Sequence, residues 1–171
     1  MDWQTLVVLQ KAIAYVSIAL LVAAAFSDIR TLRIPNLLVA AIAAVGIIRL
    51  VLLGDPIAVI YAVVFGVVIF AIGCLLFSRG IVGGGDVKLL TATIPLIWYR
   101  DLFNFLALMS IVGAVLSLAV ILINNYLPLV SGPRLAVRLP KGRLPVPYGV
   151  AISVAGIVTL LFQPLLFRYG W

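Results

Sequence analysis

The chain has 171 residues, 65% of them hydrophobic, and a mean hydropathy of +1.33. A soluble domain is roughly half apolar, so a soluble core is excluded and the bilayer is the solvent. Twelve Lys and Arg against five acids give a net charge of +7. These cations lie between apolar runs rather than on a polar domain, which argues against a nucleic-acid surface and for positive-inside anchoring. There is no His and one Cys, Cys74. That removes Ser-His and Cys-His nucleophile systems, an internal disulfide and most zinc sites.

A bilayer core of about 30 Å takes roughly 20 helical residues, and six segments qualify in chain order. The first runs from about Leu6 to Phe26. Met1-Asp2-Trp3 lacks a basic n-region, so a true span is expected rather than a cleaved signal. The second runs from about Pro35 to Leu53. Gly54-Asp55-Pro56 is a turn signal leading into the third, Ile57 to Phe77. The fourth ends near Trp98. From Leu89 to Trp98 there are ten residues, about 15 Å of helix, so a full span must begin near Ile81. Gly83-Gly84-Gly85-Asp86 then dips below the membrane surface. Irregular backbone at that depth needs protein or a watery cavity around it. The fifth runs from about Leu102 to Ile123. The sixth runs from about Tyr148 to Phe167, with Tyr169 and Trp171 as interfacial aromatics. Gly66, Gly73 and Gly113 read as helix-packing positions.

The loops 27–34, 78–88 and 124–147 carry Arg30, Arg33, Arg79, Lys88, Arg134, Arg138, Lys141 and Arg143. The other side has Lys11, Arg49, Arg100 and Arg168. This bias places the first set in the cytoplasm and both termini outside. The expected fold is all-α, a polytopic membrane protein of six transmembrane helices. It forms a single membrane-embedded domain over residues 1–171 with no soluble domain. The connection 124–147 holds five prolines and is too short for a domain.

The five acids are all aspartates. Asp2, Asp55 and Asp101 read as solvated terminal or loop residues. Asp28 and Asp86 sit on the cytoplasmic side at the ends of apolar helices, where ionisable groups are costly and point to function. The bland alternatives are a polar end for the first helix and an N-cap for the fourth. Two facing carboxylates share a proton, and such a pair can activate water and polarise a carbonyl without a metal.

The segment Ser27-Asp28-Ile29-Arg30-Thr31-Leu32-Arg33-Ile34-Pro35-Asn36 resembles the first catalytic motif of the type IV prepilin peptidases. Gly83-Gly84-Gly85-Asp86-Val87-Lys88-Leu89-Leu90 resembles their second, the GxGD motif. Pro147-Tyr148-Gly149 resembles the Pro-aromatic-Gly that opens the family's last helix. The resemblance implies that Asp28 and Asp86 are the catalytic pair of an aspartic endopeptidase needing no cofactor and no metal. It implies prepilin or pseudopilin substrates, cut at the cytoplasmic boundary of a prokaryotic inner membrane, with membrane lipid and pilus assembly machinery as partners. The chain departs from the large bifunctional members, whose cytoplasmic insert and N-methylating half it lacks, so methyl transfer is not expected, and its compact form resembles the peptidases of tight-adherence (Flp-type) pilus systems.

Gly83 and Gly85 are expected to permit tight turns or close approach near Asp86. Pro35 suits the first turn of the second helix. Lys88 points about 200° away from Asp86 on a helix. Arg30, Arg33 and Lys88 read mainly as membrane anchors. Tyr148 is either a donor toward the site or an interfacial aromatic. The carboxylates alone also allow a small transporter or proton-conducting subunit, or a non-catalytic assembly subunit.

Overall fold

The structure is a computed structural model that describes residues 3–130 and 146–166. These residues form helices and turns, with no strand among them. We number the helices α1 (Trp3–Thr31), α2 (Asn36–Leu53), α3 (Pro56–Ser78), α4 (Gly84–Thr93), α5 (Leu102–Val130) and α6 (Tyr148–Leu166). Two 3-10 turns, Ile94–Leu96 and Tyr99–Asp101, join α4 to α5. Four helices are long and apolar enough to cross a membrane: Gln4–Thr31, Asn36–Leu53, Pro56–Ser78 and Tyr99–Asn124. The chain is a multi-pass helical membrane protein. The basic residues Arg134, Arg138, Lys141, Arg143 and Arg168 and the aromatics Tyr169 and Trp171 lie outside the described residues.

The expected continuous fourth span differs from what is found. α4 begins at Gly84 and ends at Thr93, ten residues in all. Gly80 has a φ of 70° and Gly83 an extended backbone, so the chain enters α4 without helical continuity from Ile81. At the other end Pro95 has no N–H, and its ring disfavours a continuing helix. The chain goes on in 3-10 turns instead. α5 is longer than expected and passes through Pro128 to Val130.

Between α2 and α3 the turn forms as its residues dictate. Gly54 caps α2 with a φ of 63°. The Asp55 carboxylate accepts from the Ile57 N–H at 2.9 Å, and Pro56 takes the first helical position, where its missing N–H costs nothing.

α1 packs along α6 on one side and α2 on the other. α4 lies among α2, α3 and α6, while α5 leans on α6. Leu21, Ala24, Ile42, Leu89, Leu96 and Ala155 belong to the buried core. Glycines let backbones approach. A Cβ at Gly73 would stand 2.5 Å from Val87 Cγ1, and one at Gly46 would stand 2.7 Å from Pro95 Cβ. Gly113 faces the Tyr148 ring, with 3.4 Å from a Cβ to Cε1. Gly66 departs from its expected packing role, since nothing stands within 4 Å of a Cβ there.

Asp101 also departs from expectation. It is 8% exposed rather than solvated, and Arg49 of α2 is 6% exposed. The two charges act on each other across the core. The 3-10 turn Tyr99–Asp101 tucks the carboxylate inward, where it has a cation for company.

The glycine contacts yield a direct contrast. Gly73→Ala should destabilise the purified protein by about 1–3 kcal/mol through overpacking against Val87. Gly66→Ala should leave thermal unfolding in detergent unchanged or slightly raised. Equal loss of melting temperature in both would contradict the α3–α4 packing described.

Candidate active site

The reversal after α1 is built from local hydrogen bonds. Ser27 Oγ donates to the Arg33 carbonyl at 2.9 Å. The Thr31 hydroxyl shares its hydrogen between the Ser27 and Arg33 carbonyls at 2.9 and 3.0 Å. The Leu32 N–H bonds back to the Asp28 carbonyl at 2.9 Å, with Leu32 at a φ of 52°. A bulky side chain rarely adopts that left-handed backbone. Ile34 then turns inward and is 8% exposed. Pro35 precedes the first residue of α2, and its carbonyl accepts from the Leu38 and Val39 N–H groups.

This reversal leaves Asp28 in the last turn of α1, 4% exposed. Its carboxyl faces the backbone N–H groups of Gly149 and Val150, at the start of α6. A helix N-terminus carries partial positive charge and unpaired N–H groups, so a carboxylate is favoured there. The approach is close enough to require glycine. A Cβ at Gly149 would lie 2.7 Å from Asp28 Oδ2 and 2.9 Å from Ile34 Cδ1. Asp28 Oδ2 has no hydrogen-bond partner among the described residues.

Asp86 is not the N-cap of α4. Gly83 is, with φ −71° and ψ 140°, and Asp86 is the third helical residue. Its carboxyl turns back over Gly83 and takes a hydrogen bond from that backbone, the reach of an acidic residue in a capping box. A Cβ at Gly83 would stand 2.9 Å from Asp86 Oδ2. Gly85 has ordinary contacts, 3.8 Å from a Cβ to Ile34 Cβ.

Asp28 and Asp86 line one cavity of about 610 Å³, and the Asp86 carboxyl feels the charge of Asp28. Ligand pockets commonly measure about 300–1,000 Å³. Leu32, Arg33, Ile34, Asn36, residues 81–85, Lys88, Val146 and Tyr148 complete the lining. Pro147 stands just before α6, and its carbonyl accepts from Val150. Lys88 Nζ donates to Asn36 Oδ1 at 3.2 Å, so it points to α2 and away from Asp86. The Tyr148 hydroxyl lies 3.5 Å from Ser117 Oγ on α5. Arg30 stacks over the Phe26 ring at 4.2 Å and Arg33 lines the cavity.

Sequence reasoning missed Ile34 as a site residue. Its signal was slight: one apolar side chain between Arg33 and Pro35, in a stretch that otherwise reads as a polar turn. It also missed the junction of Asp28 with α6, which no local pattern encodes. Among the described residues no group of three or more His, Cys, Asp or Glu could hold a metal ion.

Fold and site define a class: a multi-pass helical membrane protein with two carboxylates in one cavity, held there by glycine-bearing backbone. The type IV leader peptidase family matches residues 15–118. That stretch is more than half the chain and includes Asp28 and Asp86, and the chain belongs to this family. No curated protein and no solved structure matches it. Membership makes it a membrane peptidase of pilus biogenesis, and favours that over the transporter or non-catalytic subunit which the carboxylates alone allow.

Gly149→Ala should push the Asp28 carboxyl aside. We expect normal membrane insertion and about 10²-fold slower leader cleavage, the scale of a displacement near 1 Å. Immunoblots of a co-expressed precursor check this, with Gly66→Ala as control. Undiminished cleavage by Gly149→Ala would contradict the close contact.

Proposed function

We propose that the chain is an aspartic endopeptidase of a prokaryotic inner membrane. It removes the short basic leader from Flp-like type IV prepilins and pseudopilins at the cytoplasmic boundary. The observation that carries this reading is the meeting of Asp28 and Asp86, 58 positions apart in the chain, on one cavity.

The chemistry needs only these two groups and water. Two carboxyls within reach of each other cannot both ionise easily, so the pair holds one proton between them. The ionised partner takes a proton from water as its oxygen attacks the scissile carbonyl carbon. The protonated partner donates to the carbonyl oxygen as the tetrahedral intermediate forms. Collapse breaks the C–N bond, and the leaving amine takes up a proton from the pair. The two products are the leader with a new carboxyl end and the pilin with a new amino end. No metal or cofactor enters these steps.

In this reading the chain is one membrane-embedded domain with six crossings and both termini outside. The 3-10 turns after α4 complete the fourth crossing, and α6 is the sixth. The loops beside Asp28 and Asp86 then face the cytoplasm, where the basic residues favour them. Its compact form follows the tight-adherence peptidases, with prepilin leaders, lipid and the pilus assembly machinery as its partners.

Asp28→Asn and Asp86→Asn keep shape and remove the acid–base function. Each should insert normally and cleave a co-expressed prepilin at least about 10³-fold more slowly. Full processing by either variant would sink the catalytic pair.

A further inference from the structure

The segments that carry the two aspartates and the start of α6 meet around one side chain, Ile34. On one side its Cδ1 lies 2.9 Å from where a Gly149 Cβ would stand. On the other its Cβ lies 3.8 Å from where a Gly85 Cβ would stand. Ile34 therefore fills the space between α6, which faces Asp28, and the glycine turn that precedes Asp86. Two residues on, Asn36 Oδ1 takes a hydrogen bond from Lys88 Nζ at 3.2 Å. That bond ties the start of α2 to the first turns of α4. A wedge holds the segments apart and a tether holds them together, and Ile34 and Asn36 both lie within eight residues of Asp28.

Resting on the peptidase reading above, we propose that Ile34 and the Lys88–Asn36 hydrogen bond form a positioning unit that fixes the separation of Asp28 and Asp86. The tether explains why a cation in a cavity with two carboxylates is bonded to a neutral amide. Lys88 leaves its helix about 200° from Asp86, and Asn36 stands on the side it reaches. β-branched Ile has few rotamers, which suits a spacer. Asp28 and Asp86 belong to different helices, so their separation is set by packing alone. A wedge with a tether is the minimum that defines it in both directions.

The separation can be read without peptidase activity. In the full-length protein in membranes, with Cys74→Ala, cysteines replace Asp28 and Asp86 and are bridged by a short bifunctional thiol reagent. The parent should cross-link. Adding Lys88→Met should lower the yield about fivefold, the effect of losing one modest interaction, and Lys88→Arg should keep most of it, while Ile34→Ala, which removes the wedge, should shift the yield toward a shorter reagent. If Ile34→Ala does not accumulate, Ile34→Val carries the same comparison. With both aspartates present, Lys88→Met should lower kcat and leave KM unchanged, and Lys88→Arg should restore kcat. An uncross-linked parent, or a yield indifferent to both changes, would overturn the proposal. So would a raised KM at constant kcat, which would make Lys88 a substrate contact. A cross-linking pattern as expected, in a protein that cleaves no leader, would reject the peptidase reading and uphold the positioning unit.

Discussion

A carboxylate at membrane depth must be given polar company, and for Asp28 that company is the end of a helix. The first N–H groups of α6 face its carboxyl while the rest of the side chain is buried. Much of the structure around the cavity follows. α6 has to run against α1, so the position facing Asp28 has to be a glycine. Ile34 fills the angle between them. Any other residue at Gly149 would set α6 back from α1 and leave Asp28 facing apolar side chains, at a cost of several kcal/mol for an unpaired charge. The cheapest escape would be to neutralise the carboxyl.

The second constraint is the short α4. Ten helical residues rise about 15 Å, half of a bilayer core, and Asp86 lies in the first turn of this short helix. Irregular backbone at membrane depth needs protein or a watery cavity around it, and α4 has α2, α3 and α6 as neighbours. Gly73 admits Val87 and Gly46 admits Pro95, which brings α3 and α2 against the two ends of this segment. Beyond the far end of α4 the buried Arg49 and Asp101 offset each other's charge. Glycine-rich backbone before α4 and a proline after it thus turn an apolar stretch into a protein-packed half-helix. Its first turn lies beside a cavity.

The sequence made some of this plain and hid the rest for physical reasons. Long apolar runs follow from bilayer thickness, so α1, α2, α3 and α5 are legible as spans. Gly54-Asp55-Pro56 encodes its turn in three residues, and the turn forms as read. Asp28 and Asp86 stand out because ionisable residues at such places are costly. The shortness of the fourth segment is also visible, but its resolution is not. Extending the helix back to Ile81 satisfied length alone, whereas the glycines and Pro95 keep α4 at ten residues. Asp101 looked solvated because a loop position says nothing about a distant arginine. Ile34 and the Asp28–α6 junction depend on segments over a hundred residues apart meeting, and no local pattern reports that.

In the proposed function Asp28 and Asp86 work as one pair, with one carboxyl ionised and the other protonated. The dependence of kcat/KM on pH for leader-peptide cleavage by the purified protein tests this most directly. A shared-proton pair predicts a bell, because activity requires the singly protonated state and falls as the pair gains or loses a proton. Replacing either aspartate should remove the bell along with the activity. A rate that rises with pH to a plateau, with no descending limb, would show a base working without an acid partner and would contradict the account.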